Sequence, residues 1–333
     1  MKFNKRFKIG KSEIALDKPT YFIADIGANH DGDIKRAKKL IRLCAKNGAD
    51  AVKFQHFSAK TIVSDYGFKN LRSKQSHQSK WKKSVFNTYK DASIKLEWTN
   101  VLKLECKKNK IDFFTSPYSL ELVDYVNKYI CAYKIGSGDI SWHQIIEKIS
   151  RKKKPVLLAT GASTLKEVNK AVQLILKKNK DIVIMQCNTN YTADKKNLNF
   201  VNLNVLNVYK KKFPNAILGL SDHTHGHVTV LGAVSLGARV VEKHFTDDNS
   251  RYGPDHKFAM NPKTWSEMVS ATRELEKSFG DGVKKIENNE KETVVIQRRS
   301  VRSSRNLDKG HIINLNDLVF YAIYLNSSAY TLV

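Results

Sequence analysis

The sequence predicts a (β/α)8 barrel, the TIM-barrel fold of the α/β class, on the strength of three observations. Short apolar runs of β-forming residues alternate eight times with longer segments of helical period. These repeats fill about 250 residues, which is the typical length of this fold. No GxGxxG motif follows the first apolar run, so an open dinucleotide-binding sheet is disfavoured.

The predicted strands are short and apolar, as expected for strands that are buried on both faces of a parallel sheet. They cover residues 21–26, 51–55, 111–116, 132–136, 156–160, 182–187, 217–221 and 239–244. In the predicted helices, apolar residues recur at three- and four-residue spacing, so one face of each helix packs on the barrel. Examples are residues 34–46, 96–107, 165–177 and 198–211.

Two segments depart from this repeat. Residues 58–89 are too long for an ordinary loop and are rich in Lys, Ser and Gln, which predicts a flap at the catalytic end of the second strand. After Phe279 a charged, glycine-containing stretch leads into a second β-rich region. We therefore predict a barrel over residues 1–281, a linker over 282–293 and a short β-rich domain over 294–333, too small for a secure core of its own.

Cysteine usage and hydropathy exclude several classes of protein. The four cysteines are scattered and form no CxxC pair, which argues against a disulfide framework or a structural zinc site. No run of about 18 apolar residues occurs, and no signal-peptide core follows the basic N-terminus. We expect a cytoplasmic protein with no membrane partner.

The net charge of +26 suggests a nucleic-acid partner on electrostatic grounds alone. The excess consists mostly of lysines spread over predicted outer helix faces and loops, and no helix-turn-helix, RNP-like or zinc-finger pattern accompanies them. We therefore expect no nucleic-acid partner and interpret most of the charge as solvated surface. A polyanion site is the alternative, and an anionic substrate would need only a few of these charges.

Polar side chains follow every predicted strand at its carboxyl end, which is where TIM barrels have their active sites. Polar groups are costly inside a packed barrel, so this convergence indicates an enzyme. Lys53 and Lys134 interrupt apolar strand runs, which favours an anion-binding role over an ordinary surface position. The hydroxyl groups predicted to join them in binding phosphate are those of Ser116, Ser137 and Ser221.

Two histidines are candidates for metal ligands. His223 and His244 end the seventh and eighth predicted strands, which are neighbours in a barrel, so their rings should meet over its mouth. Two imidazoles with water suit a divalent ion such as Mn²⁺ or Mg²⁺ and leave positions open for substrate. Asp25 and Asp255 are candidates for further ligands or for a catalytic base. Asp139 is a third strand-end carboxylate, and the sequence does not choose the base among the three.

Six motifs resemble those of the sialic acid synthase family, in the same order over about residues 8–320. They are residues 23–30 (IADIGANH), 52–55 (VKFQ), 132–138 (AYKIGSG), 219–224 (GLSDHT), 242–246 (EKHFT) and 253–256 (GPDH). The resemblance implies condensation of phosphoenolpyruvate with the aldehyde of N-acetylmannosamine or a related N-acyl hexosamine. The products would be a nonulosonic acid of the sialic-acid type and inorganic phosphate.

The resemblance also implies roles for individual residues. A metal on His223 and His244 would orient the aldehyde, Asp25 would serve the water or carbonyl chemistry, and Asp255 would lie on the sugar or metal side. The positions that match ligands of phosphoenolpyruvate are Lys53, Ser116, Lys134, Ser137 and Ser221. Those that match the sugar site are Asp139, Thr189 and Tyr191.

The sequence departs from the family pattern at four places. Asp25 replaces a longer glutamate, Ala159 a serine and Thr189 an asparagine. Residues 298–318 resemble the start of the antifreeze-like (SAF) domain, which in the family caps the partner's site in a head-to-tail homodimer, but the capping arginine and about half of that domain are not matched. We expect a homodimer. A catalytically impaired barrel that still binds phosphoenolpyruvate or sugar is the alternative.

Overall fold

The computed structural model describes residues 2–71, 78 and 81–322, and it contains the predicted (β/α)8 barrel. Eight parallel strands form the barrel, each paired with the next in the chain, and the barrel is closed because the last strand pairs with the first. The barrel strands are β3 (Tyr21–Asp25), β4 (Ala51–His56), β5 (Asp112–Pro117), β6 (Tyr133–Ile135), β7 (Val156–Ala159), β8 (Ile182–Cys187), β9 (Ile217–Asp222) and β10 (Ala238–His244). Each lies within two residues of its predicted range.

The main helices surround the barrel. They are α1 (Ile34–Lys46), α5 (Trp98–Lys108), α6 (Leu120–Val126), α7 (His143–Arg151), α8 (Leu165–Leu176), α9 (Val205–Lys212), α10 (Val228–Ser235) and α11 (Pro262–Ser278). Helix α9 starts seven residues later than predicted. Residue 198 lies instead in a 3₁₀ turn over Lys195–Phe200. Asn202, which has a left-handed backbone conformation (φ 50°), lies between this turn and the start of α9.

Helix α1 shows how the sequence forms these elements. The Asp33 side chain accepts a hydrogen bond from the backbone N–H of Lys35 and caps the amino end. Ala37, Leu40, Ile41 and Cys44 follow at helical spacing and are all buried. Burying each large aliphatic side chain contributes about 1.5–3 kcal/mol. The other face is rich in lysine, so the helix lies on the barrel with its cations in solvent.

An N-terminal hairpin closes the end of the barrel opposite the candidate site. Its strands, β1 (Arg6–Ile9) and β2 (Ser12–Ala15), pair antiparallel around Gly10, which has a φ of 55°. A β-carbon on Gly10 would lie 1.9 Å from a carboxylate oxygen of Asp112, the first residue of β5. The sequence analysis did not predict this hairpin.

The described residues of the segment 58–89 form part of the wall at the catalytic end of the barrel. The described part contains α2 (Ala59–Ile62), α3 (Asp65–Asn70) and the start of α4 (Val85–Ala92), while residues 72–77, 79 and 80 lie outside the described residues. Ile62, Trp81 and Tyr89 from this segment line the main cavity. No helix among the described residues is long and apolar enough to cross a membrane.

The chain divides into two compact units, Met1–Ser278 and Phe279–Val333. The second unit contains α12 (Lys291–Gln297) and the antiparallel pair of β11 (Ser300–Ser303) and β12 (Leu318–Tyr321). Among its described residues only Asp317 is buried, and its carboxylate accepts hydrogen bonds from Arg305 and contacts His311 Nε2 at 2.7 Å. The last part of the predicted short domain, residues 323–333, lies outside the described residues.

Candidate active site

The carboxyl ends of the barrel strands surround a cavity of about 370 Å³. Of the twelve residues predicted for the site, all but one line it. They are Asp25, Lys53, Ser116, Lys134, Ser137, Asp139, Tyr191, Ser221, His223, His244 and Asp255. The exception is Thr189, whose methyl group lies 2.5 Å from where a β-carbon on Gly161 would be.

Two buried lysines and two buried carboxylates form a charged cluster in the cavity wall. Lys53 Nζ lies 2.7 Å from Asp25 Oδ2 and 3.6 Å from Glu242 Oε1. Lys134 Nζ lies 2.7 Å from the same Glu242 oxygen, which also accepts a hydrogen bond from Ser221 Oγ at 3.2 Å. Burial alone would lower the pKa of Lys53, but the carboxylates of Asp25 and Glu242 outweigh it and raise that pKa. Lys53 is therefore held in its ammonium form in the cavity wall.

Asp25 is held in its ionised form. Burial alone would raise its pKa, but the charges of Lys53, His244 and Lys134 lower it well below the ordinary value. Its other oxygen accepts a hydrogen bond from the backbone N–H of Gly27 at 3.0 Å. A carboxylate with so low a pKa is a poor proton acceptor at neutral pH, so this position suits electrostatic work better than general base catalysis.

The two predicted metal-ligating histidines lie side by side, with ring centroids 5.4 Å apart. His223 Nδ1 is 2.9 Å from the backbone carbonyl of Asn188, and a carbonyl only accepts, so this contact assigns the proton to Nδ1 and leaves the lone pair on Nε2. His244 Nδ1 makes no hydrogen bond to any described residue. Burial and the neighbouring His244 lower the pKa of His223 to about 3, so the ring is neutral, which is the form that binds metals.

The carboxylates nearest the imidazoles belong to Asp25 and Asp255. His244 Nε2 lies 3.4 Å from Asp25 Oδ2, and its Nδ1 lies 3.6 Å from Asp255 Oδ2. Among the described residues, no three His, Cys, Asp or Glu side chains are already arranged around one metal position. The two imidazoles lie close enough to hold one cation together, with other positions left for water or substrate.

A loop after β10 carries Asp255 into the site. Its Oδ2 accepts a hydrogen bond from the backbone N–H of Ala28 at 3.1 Å. The next residue, His256, is fully buried, with Nε2 2.9 Å from Asp31 Oδ1 and Nδ1 2.8 Å from Thr246 Oγ1. These contacts tie the loop to the end of β3, so Asp255 is fixed on a rigid support.

Asp139 and Ser137 follow β6 in a 3₁₀ turn. Ser137 Oγ accepts a hydrogen bond from the backbone N–H of Gly161 at 3.0 Å, which holds the hydroxyl at the wall. Burial raises the pKa of Asp139 to about 6. Of Asp25 and Asp139, Asp139 is the one whose pKa lies near neutrality, where a proton acceptor works best.

Several cavity residues were not predicted. Glu242 is the most important, and a signal for it was present: side chains two apart on a strand face the same side, so a cavity-facing His244 implies a cavity-facing Glu242. Gln55 follows Lys53 by two residues on the same strand, so it also faces the cavity, and its Nε2 donates a hydrogen bond to Asp25 Oδ2 at 3.3 Å. Tyr118 and Tyr89 also line the cavity, and no strand-end pattern distinguishes them from ordinary aromatic residues.

A second pocket of about 210 Å³ adjoins the main cavity, and Trp81, Tyr191 and Pro254 line both. Its remaining lining combines cationic and polar groups with one more aromatic ring. These residues are Thr192, Arg251, Tyr252, Gly253 and Lys257. The site therefore extends beyond the charged cluster and the imidazoles.

A closed (β/α)8 barrel with two buried lysines and two adjacent imidazoles at the carboxyl ends of its strands defines a TIM-barrel enzyme. The chain belongs to the NeuB family, whose model matches residues 40–284. This confirms the resemblance seen in the six motifs.

Two curated relatives and one crystal structure illustrate the similarity. The N,N'-diacetyllegionaminic acid synthase of Campylobacter jejuni is 35% identical over 308 residues, which cover 90% of each chain. The N-acetylneuraminate-9-phosphate synthase of Homo sapiens is 30% identical, covering 80% of this chain and 73% of its own. The crystal structure of the N-acetylneuraminic acid (sialic acid) synthetase from Leptospira borgpetersenii, in complex with citrate, superimposes with a TM-score of 0.75 at 26% identity, covering 88% of this chain and 96% of that one.

Proposed function

We propose that the protein condenses phosphoenolpyruvate, water and the aldehyde of an N-acyl hexosamine to give a nonulosonic acid and inorganic phosphate. The observation that carries this proposal is the presence, in one cavity, of two buried lysines beside a pair of adjacent imidazoles. In the reaction, C3 of phosphoenolpyruvate bonds to the aldehyde carbon. Water adds to C2, and cleavage of the C2–O bond releases phosphate.

Lys53 and Lys134 would hold the phosphate and carboxylate of phosphoenolpyruvate, aided by the hydroxyl groups of the cavity. The donors of this anion site are completed by Ser116, Ser137 and Ser221. In the protein as it stands, the two lysines are already balanced by Asp25 and Glu242. A polyanion entering the cavity needs further positive charge, because uncompensated charge is costly in a buried site.

A divalent ion on His223 and His244, Mn²⁺ or Mg²⁺, is the source of that charge in our proposal. When bound, it would polarise the aldehyde oxygen. The orphaned Nδ1 of His244 and the Nδ1 proton of His223 support this assignment, since a metal-binding imidazole uses one nitrogen and anchors the other. Asp255, held by the backbone of Ala28, would orient the sugar beside the imidazoles.

Asp139 and Tyr191 would contact the sugar, and we assign Asp139 the role of proton acceptor because its pKa of about 6 suits that task. The second pocket adjoins Tyr191 and would take the end of the sugar remote from the aldehyde. The identity of that end separates N-acetylmannosamine, its 6-phosphate and 2,4-diacetamido-6-deoxy sugars. The default substrate in our proposal is N-acetylmannosamine or a close N-acyl relative.

The test is a phosphate-release assay in which each component is omitted in turn. Release should require phosphoenolpyruvate, a sugar and a divalent metal together, and a panel of the three sugars identifies the substrate. His223→Ala/His244→Ala should abolish release, while His143→Ala on the outer helix α7 should not. Binding of phosphoenolpyruvate with no phosphate release for any sugar would instead support the catalytically impaired barrel.

We also propose a cytoplasmic homodimer. The exposed Ile312 and Leu315 side chains of the second unit, each 87% accessible, support an interface on that unit. Light scattering of the native chain and of Ile312→Ser/Leu315→Ser tests it, since the variant should dissociate to a monomer. A monomeric native protein would contradict the proposed dimer.

A further inference from the structure

Two charged residues precede the imidazoles in sequence but point away from the cavity. Asp222 comes immediately before His223, and Lys243 comes immediately before His244. They are register partners on neighbouring strands β9 and β10. Successive side chains of a strand face opposite sides, so the pair lies on the outer face of the barrel wall, behind the imidazoles.

The pair is almost completely buried, with side chains 3% and 1% exposed, and Lys243 Nζ lies 2.5 Å from Asp222 Oδ2. Neither residue lines the cavity, so neither has a direct part in the proposed reaction. A buried ion pair adds little net stability compared with well-packed apolar residues. A role in fixing one particular geometry explains its presence better.

The pair holds the backbone of the residue that follows His223. Lys243 Nζ donates a second hydrogen bond, 2.7 Å long, to the carbonyl oxygen of Thr224. The backbone N–H of Thr224 in turn donates to Asp222 Oδ1 at 3.1 Å. His223 therefore lies between Asp222, which belongs to the pair, and Thr224, whose backbone is bonded to both members of the pair. Because Lys243 adjoins His244, the pair links the backbone supports of the two imidazoles.

Helix α10 anchors this arrangement from outside. Thr229 Oγ1 donates to Asp222 Oδ2 at 2.7 Å, and Thr224 Oγ1 donates to the same oxygen at 2.9 Å. The Asp222 carboxylate thus accepts four hydrogen bonds from three residues, Thr224, Thr229 and Lys243, which fix its orientation. The ring of His223 is separately oriented by the Asn188 carbonyl. The Asp222–Lys243 pair thus supports the backbone behind the two rings, which on the cavity side also contact Tyr191 and Phe258.

We propose that Asp222 and Lys243 are positioning residues that set the spacing of the His223 and His244 imidazoles and so determine the affinity of the site for a divalent ion. The inference rests on the proposed metal role of the two histidines. In this proposal, side chains on the outer face of the barrel wall fix the positions of the two imidazoles on its inner face. Residues that orient metal ligands typically change metal affinity 10–100-fold when they are replaced.

The test measures Mn²⁺ affinity directly, without substrate, from the EPR signal of free Mn²⁺ during titration of the protein. Asp222→Asn/Lys243→Met removes both charges at nearly constant volume, so no single charge is left buried. The dissociation constant should rise at least tenfold. The visible absorption of bound Co²⁺ should also change, because it reports the coordination geometry.

A matched control removes a partly buried ion pair at the opposite end of the barrel. Arg273 and Glu276 pair at 2.8 Å and bond the backbone of Thr20, which precedes β3. Arg273→Met/Glu276→Gln should lower the melting temperature and leave Mn²⁺ affinity unchanged. This separates a positioning effect from a general loss of stability.

A second variant covers the case in which the double substitution prevents folding. Thr229→Val removes only the hydroxyl group that anchors Asp222, and it should weaken Mn²⁺ binding severalfold. Native affinity and a native Co²⁺ spectrum in either folded variant would overturn the positioning role. Loss of binding in His223→Ala/His244→Ala would then still support the metal site, whereas a native enzyme that binds no Mn²⁺ would overturn both.

Discussion

At the scale of single residues, the cavity balances its own charges before any substrate enters. Lys53 faces Asp25, and Lys134 faces Glu242, with all four side chains no more than 5% exposed. Glu242 Oε2 makes no hydrogen bond to any described residue, so this carboxylate serves the lysines through one oxygen only. Glu242 is accordingly the residue whose charge most directly holds Lys134 in place.

We predict that Glu242→Gln lowers the free energy of unfolding by about 3 kcal/mol, because it leaves the buried Lys134 ammonium without its carboxylate. Chemical denaturation measures the effect. Glu147→Gln is the control, since Glu147 pairs with Arg151 on an exposed helix surface and such pairs contribute at most about 1 kcal/mol. Equal, small losses in both variants would contradict the importance of the buried pair.

Asp139 gives a prediction about pH. Burial raises its pKa to about 6, so the unfolded chain, with an ordinary pKa near 4, ionises first as the pH rises. Ionisation of Asp139 therefore destabilises the native state progressively between about pH 4 and pH 6, and the full loss, on the order of 1–2 kcal/mol at this partly buried position, is present above about pH 6. Asp139→Asn should stabilise the protein at pH 7 and have no such effect at pH 4.

The same titration should appear in catalysis. The value of kcat/KM should fall as the pH drops below about 6, because the protonated Asp139 cannot accept a proton. Asp139→Asn should have low activity that lacks this acidic limb. Denaturation curves at pH 4 and pH 7, with pH–rate profiles of both proteins, provide the measurements. A stability gain of equal size at both pH values would point to packing instead of ionisation.

At the scale of elements, the turn after β3 joins the first strand to the loop that carries Asp255. Gly27 occupies this turn with a φ of 48°. A β-carbon there would lie 2.8 Å from Asp255 Oδ2 and 3.2 Å from His244 Cε1. Glycine is therefore required both by the backbone conformation and by the close approach of two site residues.

Gly27→Ala should cost about 1–3 kcal/mol of stability and displace the Asp255 carboxylate. We expect kcat/KM for the sugar to fall at least tenfold. Gly280→Ala provides the matched control, because Gly280 has a similar φ of 62° but open space where the methyl group would go. Thermal melts and initial rates of both variants separate the effect of backbone strain from the effect of the close contact between the new methyl group and Asp255. Native sugar kinetics in Gly27→Ala would show that Asp255 is not displaced.

The strands and the hairpin show which structural elements can be predicted from the sequence. The eight strands were found because burial on both faces makes them continuous apolar runs, and the site was found because each run ends in polar residues. The hairpin of Arg6–Ile9 and Ser12–Ala15 was missed because each strand has only four residues and neither forms a continuous apolar run. Phe7 and Ile9 are buried only because the hairpin packs against the end of the folded barrel.

Glu242 was missed for a related reason. It lies inside the strand run that ends at His244, and only the histidine of that run was assigned a role from the sequence. The Asp222–Lys243 pair depends on the register between β9 and β10, which the sequence does not specify. Contacts between strands thus require the structure, whereas the residues at the carboxyl ends can be predicted from the sequence.

At the scale of the whole molecule, the net charge of +26 remains after the site is accounted for. The cavity lysines are neutralised locally by Asp25 and Glu242, so the long-range field comes from lysines elsewhere on the protein. Such a field raises the encounter rate with any anionic ligand and is screened by salt. Phosphoenolpyruvate is a polyanion, whereas N-acetylmannosamine is neutral, so salt should affect the two substrates differently.

We predict that kcat/KM for phosphoenolpyruvate falls severalfold when the ionic strength rises from about 0.01 to 0.15 M, since the Debye length shrinks from about 30 to 8 Å. The value for the neutral sugar, measured at saturating phosphoenolpyruvate, should stay constant. A nucleic-acid-binding protein would instead show steeply salt-dependent retention on DNA. Strong retention on DNA with no salt effect on phosphoenolpyruvate would mean that the positive charge serves a nucleic acid. A salt effect on phosphoenolpyruvate with no retention on DNA would assign the charge to the substrate, because the lysines outside the cavity would then raise the encounter rate with this anion.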